Sequence, residues 1–382
     1  MLILAPLWTQ LTRRRGRGHA EAIYKVAKGT LERKAWTLAT RLAVALCIVV
    51  YAVCLLFVGG LVWLTLRQFW VADFFAFLGC FVIGLAFSRT LSKRIPPLER
   101  REFPALYSLL DEVCAQLGHR SRVTLNLNPD FNAWYTQSLF GRPFIGLGLP
   151  LMYVLSGQER VSLIAHEVAH GVNSDIVRSR LMFFPLTLFA TWYELLIPDA
   201  LMQARATWGE GGGLTQATGN VATYLLSYLP LALLRLFHRL TMNESQLAEY
   251  RADFLESRVA GKSAALSSLD KLHFGSTYFA SLHKQTLNPE RAHLYAEFAH
   301  QMAQRSPQAL AQTRQEIRER YTALDTHPPT VLRMQFIEEV APSEALLELS
   351  ETHNAKISTE LERLIPALQR EAIEQYRMRV GL

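Results

Sequence analysis

From Ala43 to Leu66 the chain runs without a charged side chain, and few folds are open to a segment of that length and character. A helix rising about 1.5 Å per residue crosses roughly 30 Å of hydrocarbon in about twenty residues, with its backbone polar groups satisfied internally. We therefore expect a membrane-spanning helix. Trp70 to Phe87 is a second apolar block, interrupted by Asp73 and bounded by Arg67 on one side and by Arg89, Lys93 and Arg94 on the other. Together the two predict a helical hairpin over 43–88. Two weaker blocks, Leu181 to Ile197 and Val221 to Leu234, contain Pro185, Glu194 and Pro230 and are short for a span. Residues 181–240 thus read as a second hairpin, transmembrane or re-entrant. Arg178 and Arg180 before it and Arg235 and Arg239 after it favour spanning, giving about four transmembrane helices.

Charge sets the orientation. Arg13, Arg14, Arg15, Arg17, Lys25, Lys28, Arg33, Lys34 and Arg41 precede the first span, which predicts a cytoplasmic N-terminal arm over 1–42. Two crossings return the chain to the same side, and two more do so again. The segments 89–180 and 241–335 therefore share the cytoplasmic face. The arm supplies much of the net charge of +7 but lacks interleaved aromatics or a recognition motif, so nucleic acid is not expected as a partner. Weak attraction to anionic lipid is. In Leu2 to Leu11 the positive charges follow the apolar residues, the reverse of a signal peptide, and the first span reads as an uncleaved anchor. Cys47, Cys54 and Cys80 sit in apolar blocks and Cys114 in an amphipathic pattern, so the cysteines read as small buried hydrophobes.

The polar half carries a different signal. In Ala165-His166-Glu167-Val168-Ala169-His170-Gly171 two imidazoles stand four residues apart with a carboxylate between them. Ser156 and Glu159 form a capping box that opens a helix, and Val161, Leu163 and Ile164 give it an apolar face. On a helix, His166 and His170 share one face and can hold one zinc ion, leaving Glu167 beside the site to take a proton from an activated water. A third donor is needed. Glu249 and Asp253 share a face of a later helix, for which Asn243 with Gln246 offers a start and Gly261 a stop. There the first carboxylate can bind metal and the second accept the free N–H of a ligand imidazole. The alternative is an acidic pair on a solvated face.

Around these helices, Pro104 opens a helical pattern through Leu106, Leu109, Leu110, Val113 and Leu117 that Gly118 closes. Val123 to Leu127 alternates like a strand, and Phe144 to Leu151 offers a second. A small sheet beside the His helix follows, with an edge to which an extended peptide could add as a strand. Apolar spacing through Ala265, Leu269 and Leu272, and again from Ala292 to Tyr321, predicts covering helices.

From roughly Pro104 to Arg333 the chain resembles the integral-membrane zinc metallopeptidases that include the bacterial heat-shock protease HtpX and the type I CAAX prenyl protease. His166-Glu167-x-x-His170 with Asp175 is similar to their active-site helix, and Glu249-Tyr250-x-Ala252-Asp253 to their third-ligand helix. Asn132-Ala133-Trp134 resembles the segment that opens their edge strand, and Thr326-His327-Pro328-Pro329 with Arg333 their late His-Pro motif. The departures are Gln246, where many members carry Arg, the long stretch from Asp253 to His327, and the N-terminal arm.

The resemblance implies a mainly α membrane protein with a gluzincin-type α+β metalloprotease domain over 89–180 and 241–335 and a C-terminal helical segment over 336–382. It implies one zinc ion per chain on His166, His170 and Glu249, and Glu167 as general base. His327 would stabilise the oxyanion or cap the resting metal. Asp253, Asp175 and Arg333 would support the ligands, and Asn132, Ala133 and Trp134 the substrate. Polypeptides, above all membrane-associated or misfolded proteins, are the expected substrates, at an inner-membrane, multi-pass location. The competing readings are a catalytically silent scaffold of the same fold and a processing protease of the CAAX type. The latter implies a larger multi-helix chamber than these blocks can build. Oligomeric state is not readable from the sequence.

Overall fold

The computed structural model describes residues 18–29, 38–66, 79–85, 96–137, 142–172, 175–196, 214–287, 293–321 and 327–381. They fall into two compact units: Met1–Lys34, Ile95–Ile176 and Ser245–Leu382 make the first, and Ala35–Arg94 with Val177–Glu244 the second.

In the first unit, the helix Pro104–Gln116 has proline in its first turn and buries Leu106, Leu109, Leu110 and Val113. Its orphan N–H groups at Ala105 and Leu106 donate to the Glu360 carboxylate at 2.7 and 2.9 Å, a cap supplied from far along the chain. Gly118, at φ +66°, turns the chain out of the helix. A three-stranded sheet follows. β1 (Thr124–Asn128) runs parallel to β3 (Pro143–Gly148), and β2 (Ala133–Gln137) runs antiparallel to it on the other side. β2 is therefore an edge strand. The sequence pattern carried a strand on to Leu151, but β3 stops at Gly148 and Leu149–Val154 is a helix. Pro150 explains the difference, because it cannot donate to a ladder and suits a first helical turn. A Cβ on Gly148 would lie 1.8 Å from the Asp130 carbonyl oxygen, so only glycine allows this close approach.

The His-bearing helix is Gly157–Val172. Its capping box forms: the Ser156 N–H donates to Glu159 Oε2 at 2.6 Å, and the Glu159 N–H points back at Ser156 Oγ at 3.4 Å. Val161, Ile164 and Val168 enter a core with Leu125, Ile145 and Leu147 of the sheet, and Ile357 and Leu361 of the helix Glu351–Glu362 and Leu368 of the helix Ile365–Val380 join it. The helix bearing Glu249 ends at Ala260, before Gly261 at φ +85°. Its expected start at Asn243 is not observed, since one helix of 47 residues runs from Leu214 to Ala260. No Gly or Pro stands between Pro230 and Gly261; extending an existing helix is easier than nucleating one, so the cap signal is overridden.

Helices Lys262–Lys271, Gly275–Leu287, Leu294–Ala303, Pro307–Arg320 and Thr330–Val340 follow. The run expected from Ala292 to Tyr321 is broken where the Ser306 hydroxyl accepts from the Ala309 N–H and Pro307 opens a new helix. Within the basic arm residues 18–29 are helical, and Ile23, Tyr24 and Ala27 pack with Leu247, Tyr250, Phe336 and Ile337.

In the second unit the helix Leu38–Leu66 contains Leu38–Gly60, whose mean hydropathy of 2.9 and length suit a membrane crossing. Ala43 and Cys47 pack with Met182, Phe189 and Phe237, and Tyr51 stacks on Phe184 at 5.3 Å. Of the about four spans expected, one is found among the described residues, where this helix is long and apolar enough. Leu181–Leu196 is apolar but shorter than a span, and Val221 to Leu234 lies within a helix that continues into polar sequence. Most of the Trp70 to Phe87 block lies outside the described residues.

Candidate metal centre

His166 and His170 face the same way from successive turns, their ring centroids 4.9 Å apart and their planes nearly perpendicular. Glu249 closes the group, with Oε2 3.5 Å from His166 Nε2 and Oε1 3.6 Å from His170 Nε2. With metal bonds of about 2.0–2.1 Å, neighbouring donors of a tetrahedral site stand about 3.3–3.4 Å apart, close to these separations. Glu249 Oε2 is buried and has no hydrogen-bond partner, although the Arg333 guanidinium lies 3.2 Å away. A buried carboxylate whose two oxygens each face an imidazole nitrogen, one of them without a hydrogen bond, suits a dication. The residues fit zinc.

The surrounding charges are buried and paired. Burial alone would push Glu249 upward, but Arg333, His166, His327 and His170 hold it well below the usual carboxylate range. Burial lowers His170 to about 4, leaving a neutral ring with a lone pair to offer. Burial also opposes charge on His166, yet Asp253, Glu249 and Glu256 raise it well above the ordinary histidine value. A bound dication would displace that proton. Glu167 is pushed up to about 7 by burial, with His166 opposing and Glu249 adding to the rise. A group poised there can both take and return a proton near neutrality.

Arg333, expected to support the ligands, is buried in the interior. Its Nε donates to Asp253 Oδ2 at 2.9 Å and its Nη2 to Asp253 Oδ1 at 2.5 Å. Asp253 Oδ1 stands 3.3 Å from His166 Nδ1, but Glu256 Oε2 is nearer at 2.9 Å. Sequence reasoning missed Glu256. Its signal was present, because 249, 253 and 256 are spaced to lie on one helix face. His166, Asp253 and Glu256 form a second cluster of ligand type. The Arg333 guanidinium already supplies its cation, with Nη2 only 3.5 Å from His166 Nδ1.

His327 Nδ1 lies 2.9 Å from Glu249 Oε1, on a side chain that is 66% exposed. It therefore reaches the centre from the solvent side. Thr326 is outside the described residues, as is the side chain of Asp175, which begins the helix Asp175–Leu196. Ala133 opens β2, the Asn132 carbonyl accepts from the Gly148 N–H at 2.8 Å, and Trp134 packs on Phe144 at 5.4 Å. β2 comes close to the end of the His helix. A Cβ on Gly171 would meet His119 Nε2 at 2.7 Å and the Tyr135 hydroxyl at 2.9 Å, so Gly171, next to His170, makes room for the edge strand.

Residues 102–341, which include all of these side chains, match the model of peptidase family M48. Among curated relatives, protease HtpX of Aliivibrio fischeri strain MJ11 is 27% identical over 150 residues, 39% of this chain and 50% of that protein. Protease HtpX of Glaesserella parasuis is 28% identical over 171 residues, 44% and 58% of the two chains. Protease HtpX of Shewanella oneidensis is 27% identical over 216 residues, 53% and 72%. The chain thus spans about half the length of the first of these relatives. No solved structure matches it.

Proposed function

Because the chain belongs to peptidase family M48, we propose that it is a zinc metalloendopeptidase of a membrane, cleaving membrane-associated or misfolded polypeptides on the cytoplasmic side. The observation that carries this reading is the convergence of His166, His170 and Glu249, from two helices distant in sequence, with Glu167 buried beside them. These three residues would hold the ion, which supplies Lewis acidity toward the scissile carbonyl and a lowered pKa for water. Glu167, held near 7, takes a proton from the attacking water and returns it to the leaving amine. His327, at the solvent side of Glu249, offers a hydrogen bond to charge developing on the carbonyl oxygen.

The edge strand β2 supports a polypeptide substrate. An extended peptide pairing with its free side would be held mainly by backbone hydrogen bonds, which ask little of sequence. The apolar helix within Leu38–Leu66 and the basic residues preceding it support a membrane location with a cytoplasmic site. Names of the HtpX relatives agree with proteolysis.

The test is zinc-loaded full-length protein in detergent with an unfolded casein as substrate. Wild type is expected to cleave it. Glu167→Gln should keep one zinc per chain and lose about 10²- to 10⁴-fold in rate. Undiminished cleavage by that variant refutes the base assignment, and no cleavage by zinc-replete wild type favours the scaffold reading.

A further inference from the structure

We infer that Glu256 is the residue that positions His166 for the metal, while Asp253 is committed to Arg333. The inference rests on the ligand set proposed above and deepens it. Glu249, Asp253 and Glu256 approach the centre from one helix, yet their partners differ. Both oxygens of Asp253 receive the forked guanidinium of Arg333 at 2.5 and 2.9 Å, a bidentate pairing that fixes the carboxylate plane. Glu256 is buried and makes its closest imidazole contact at 2.9 Å, to His166 Nδ1.

Its other oxygen is braced. Ser162 Oγ donates to Glu256 Oε1 in a short hydrogen bond, and Ser268 Oγ lies 3.1 Å from the same oxygen. The two hydroxyls are themselves 3.0 Å apart. Ser162 stands one turn before His166 on the same helix, and Ser268 belongs to the helix Lys262–Lys271. Glu256 is thus clamped between the helix that carries His166 and a second helix, so its free oxygen has one direction to point.

The consequence is a fixed tautomer. With Nδ1–H donating to Glu256, the lone pair of His166 lies on Nε2, the atom that faces Glu249 Oε2 at 3.5 Å. Rotation of the ring would break a charge-assisted hydrogen bond inside a buried site, where no water replaces it. The residue acts on the metal through His166 and does not touch it.

Zinc affinity, measured by chelator competition on the full-length protein in detergent, tests this. Loss of a partner of this kind typically weakens metal binding by about 10- to 100-fold, and Glu256→Ala is expected to fall in that range. Glu256→Gln keeps an acceptor for Nδ1–H and should recover most of the loss, a rescue that a purely structural role would not give. Ligand-field bands of the cobalt-loaded protein should shift in Glu256→Ala and return toward wild type in Glu256→Gln. Should the alanine variant not fold, Ser162→Ala/Ser268→Ala leaves Glu256 in place but unbraced and should still weaken zinc. Wild-type affinity and cobalt spectrum in Glu256→Ala, or in the double serine variant, overturn the inference. Glu249→Ala separates the two readings: if it strips the metal while Glu256→Ala does not, the ligand set stands and only this inference fails. If Glu249→Ala binds zinc like wild type, both fall.

Discussion

In the unit that carries His166 and His170, the side chains of Glu167, Glu249, Asp253, Glu256 and Arg333 are buried, whereas in the unit built from Ala35–Arg94 and Val177–Glu244 leucine faces outward, with Leu38, Leu55 and Leu56 at 73%, 73% and 75% exposure. Each arrangement inverts the usual rule for a protein in water. The difference shows two ways of offsetting such a cost. Buried charge is offset from within, by pairing with Arg333 and the imidazoles and by a dication when one binds. In the membrane location proposed above, the exposed apolar side chains are offset from without, by hydrocarbon. The proposed metal chemistry and the proposed membrane contact therefore draw on separate units, and each can be broken alone.

The largest effect on stability is expected where the internal pairing is cut. Arg333→Ala leaves Asp253 and Glu249 buried without their guanidinium, which should cost about 3–5 kcal/mol in unfolding of the zinc-free protein. Adding Asp253→Ala to it should cost less than the two single changes summed, because the second removes the charge stranded by the first. Unchanged stability in Arg333→Ala would mean that water reaches the cluster, and the contrast between the units would dissolve. The external offset is tested by Val49→Arg, near the middle of Leu38–Gly60. It should disfavour insertion by about 2.5–3.5 kcal/mol, read as a larger share of chains released by alkaline carbonate extraction. On a surface that faces water the same change is neutral within about 0.5 kcal/mol, and no shift in extraction would assign this helix to an aqueous environment.

Much of both units was legible where the signal is local. The spacing of His166 and His170, the reciprocal cap of Ser156 and Glu159, and the stops at Gly118 and Gly261 depend on residues within a turn or two of one another, and the folded chain shows each helix limit. What was lost is nonlocal. β2 is five residues long and exists because β3 pairs with it, so its own alternation says little, and only the resemblance pointed to Asn132-Ala133-Trp134. The start expected at Asn243 was overridden by helix already propagating from Leu214. Glu256 shares a helix face with Glu249 and Asp253, but its bracing by Ser162 and Ser268, 94 and 12 residues away in sequence, is not readable from that spacing. Arg333 was expected to support the ligands, but the carboxylate it pairs with, Asp253, lies 80 residues away and only the fold brings the two together.

The smallest effect comes from a buried pair outside the metal centre, and it defines where that centre ends. Glu159 accepts from Lys271 Nζ at 2.6 Å, from the Ser267 hydroxyl at 2.5 Å and from the Ser156 N–H at 2.6 Å. Burial pushes its pKa upward, but these donors outweigh it and hold the group below the ordinary glutamate value. A folded value below the unfolded one means that the carboxylate stabilises the fold above about pH 4.3 and that this contribution disappears as pH falls through the folded value. Lys271→Met removes a principal opposing donor while burial remains, so the pKa rises. Acid unfolding should then begin at higher pH, with about 1.5–3 kcal/mol lost near neutrality, the range for a hydrogen bond to a charged group. Because Glu159 caps the start of the His helix and touches none of the ligands, the shift in the acid limb should be the same with and without zinc. A shift confined to the zinc-free protein would show that the cap and the metal report on one network, and the centre would have to be drawn to include the first turn of that helix.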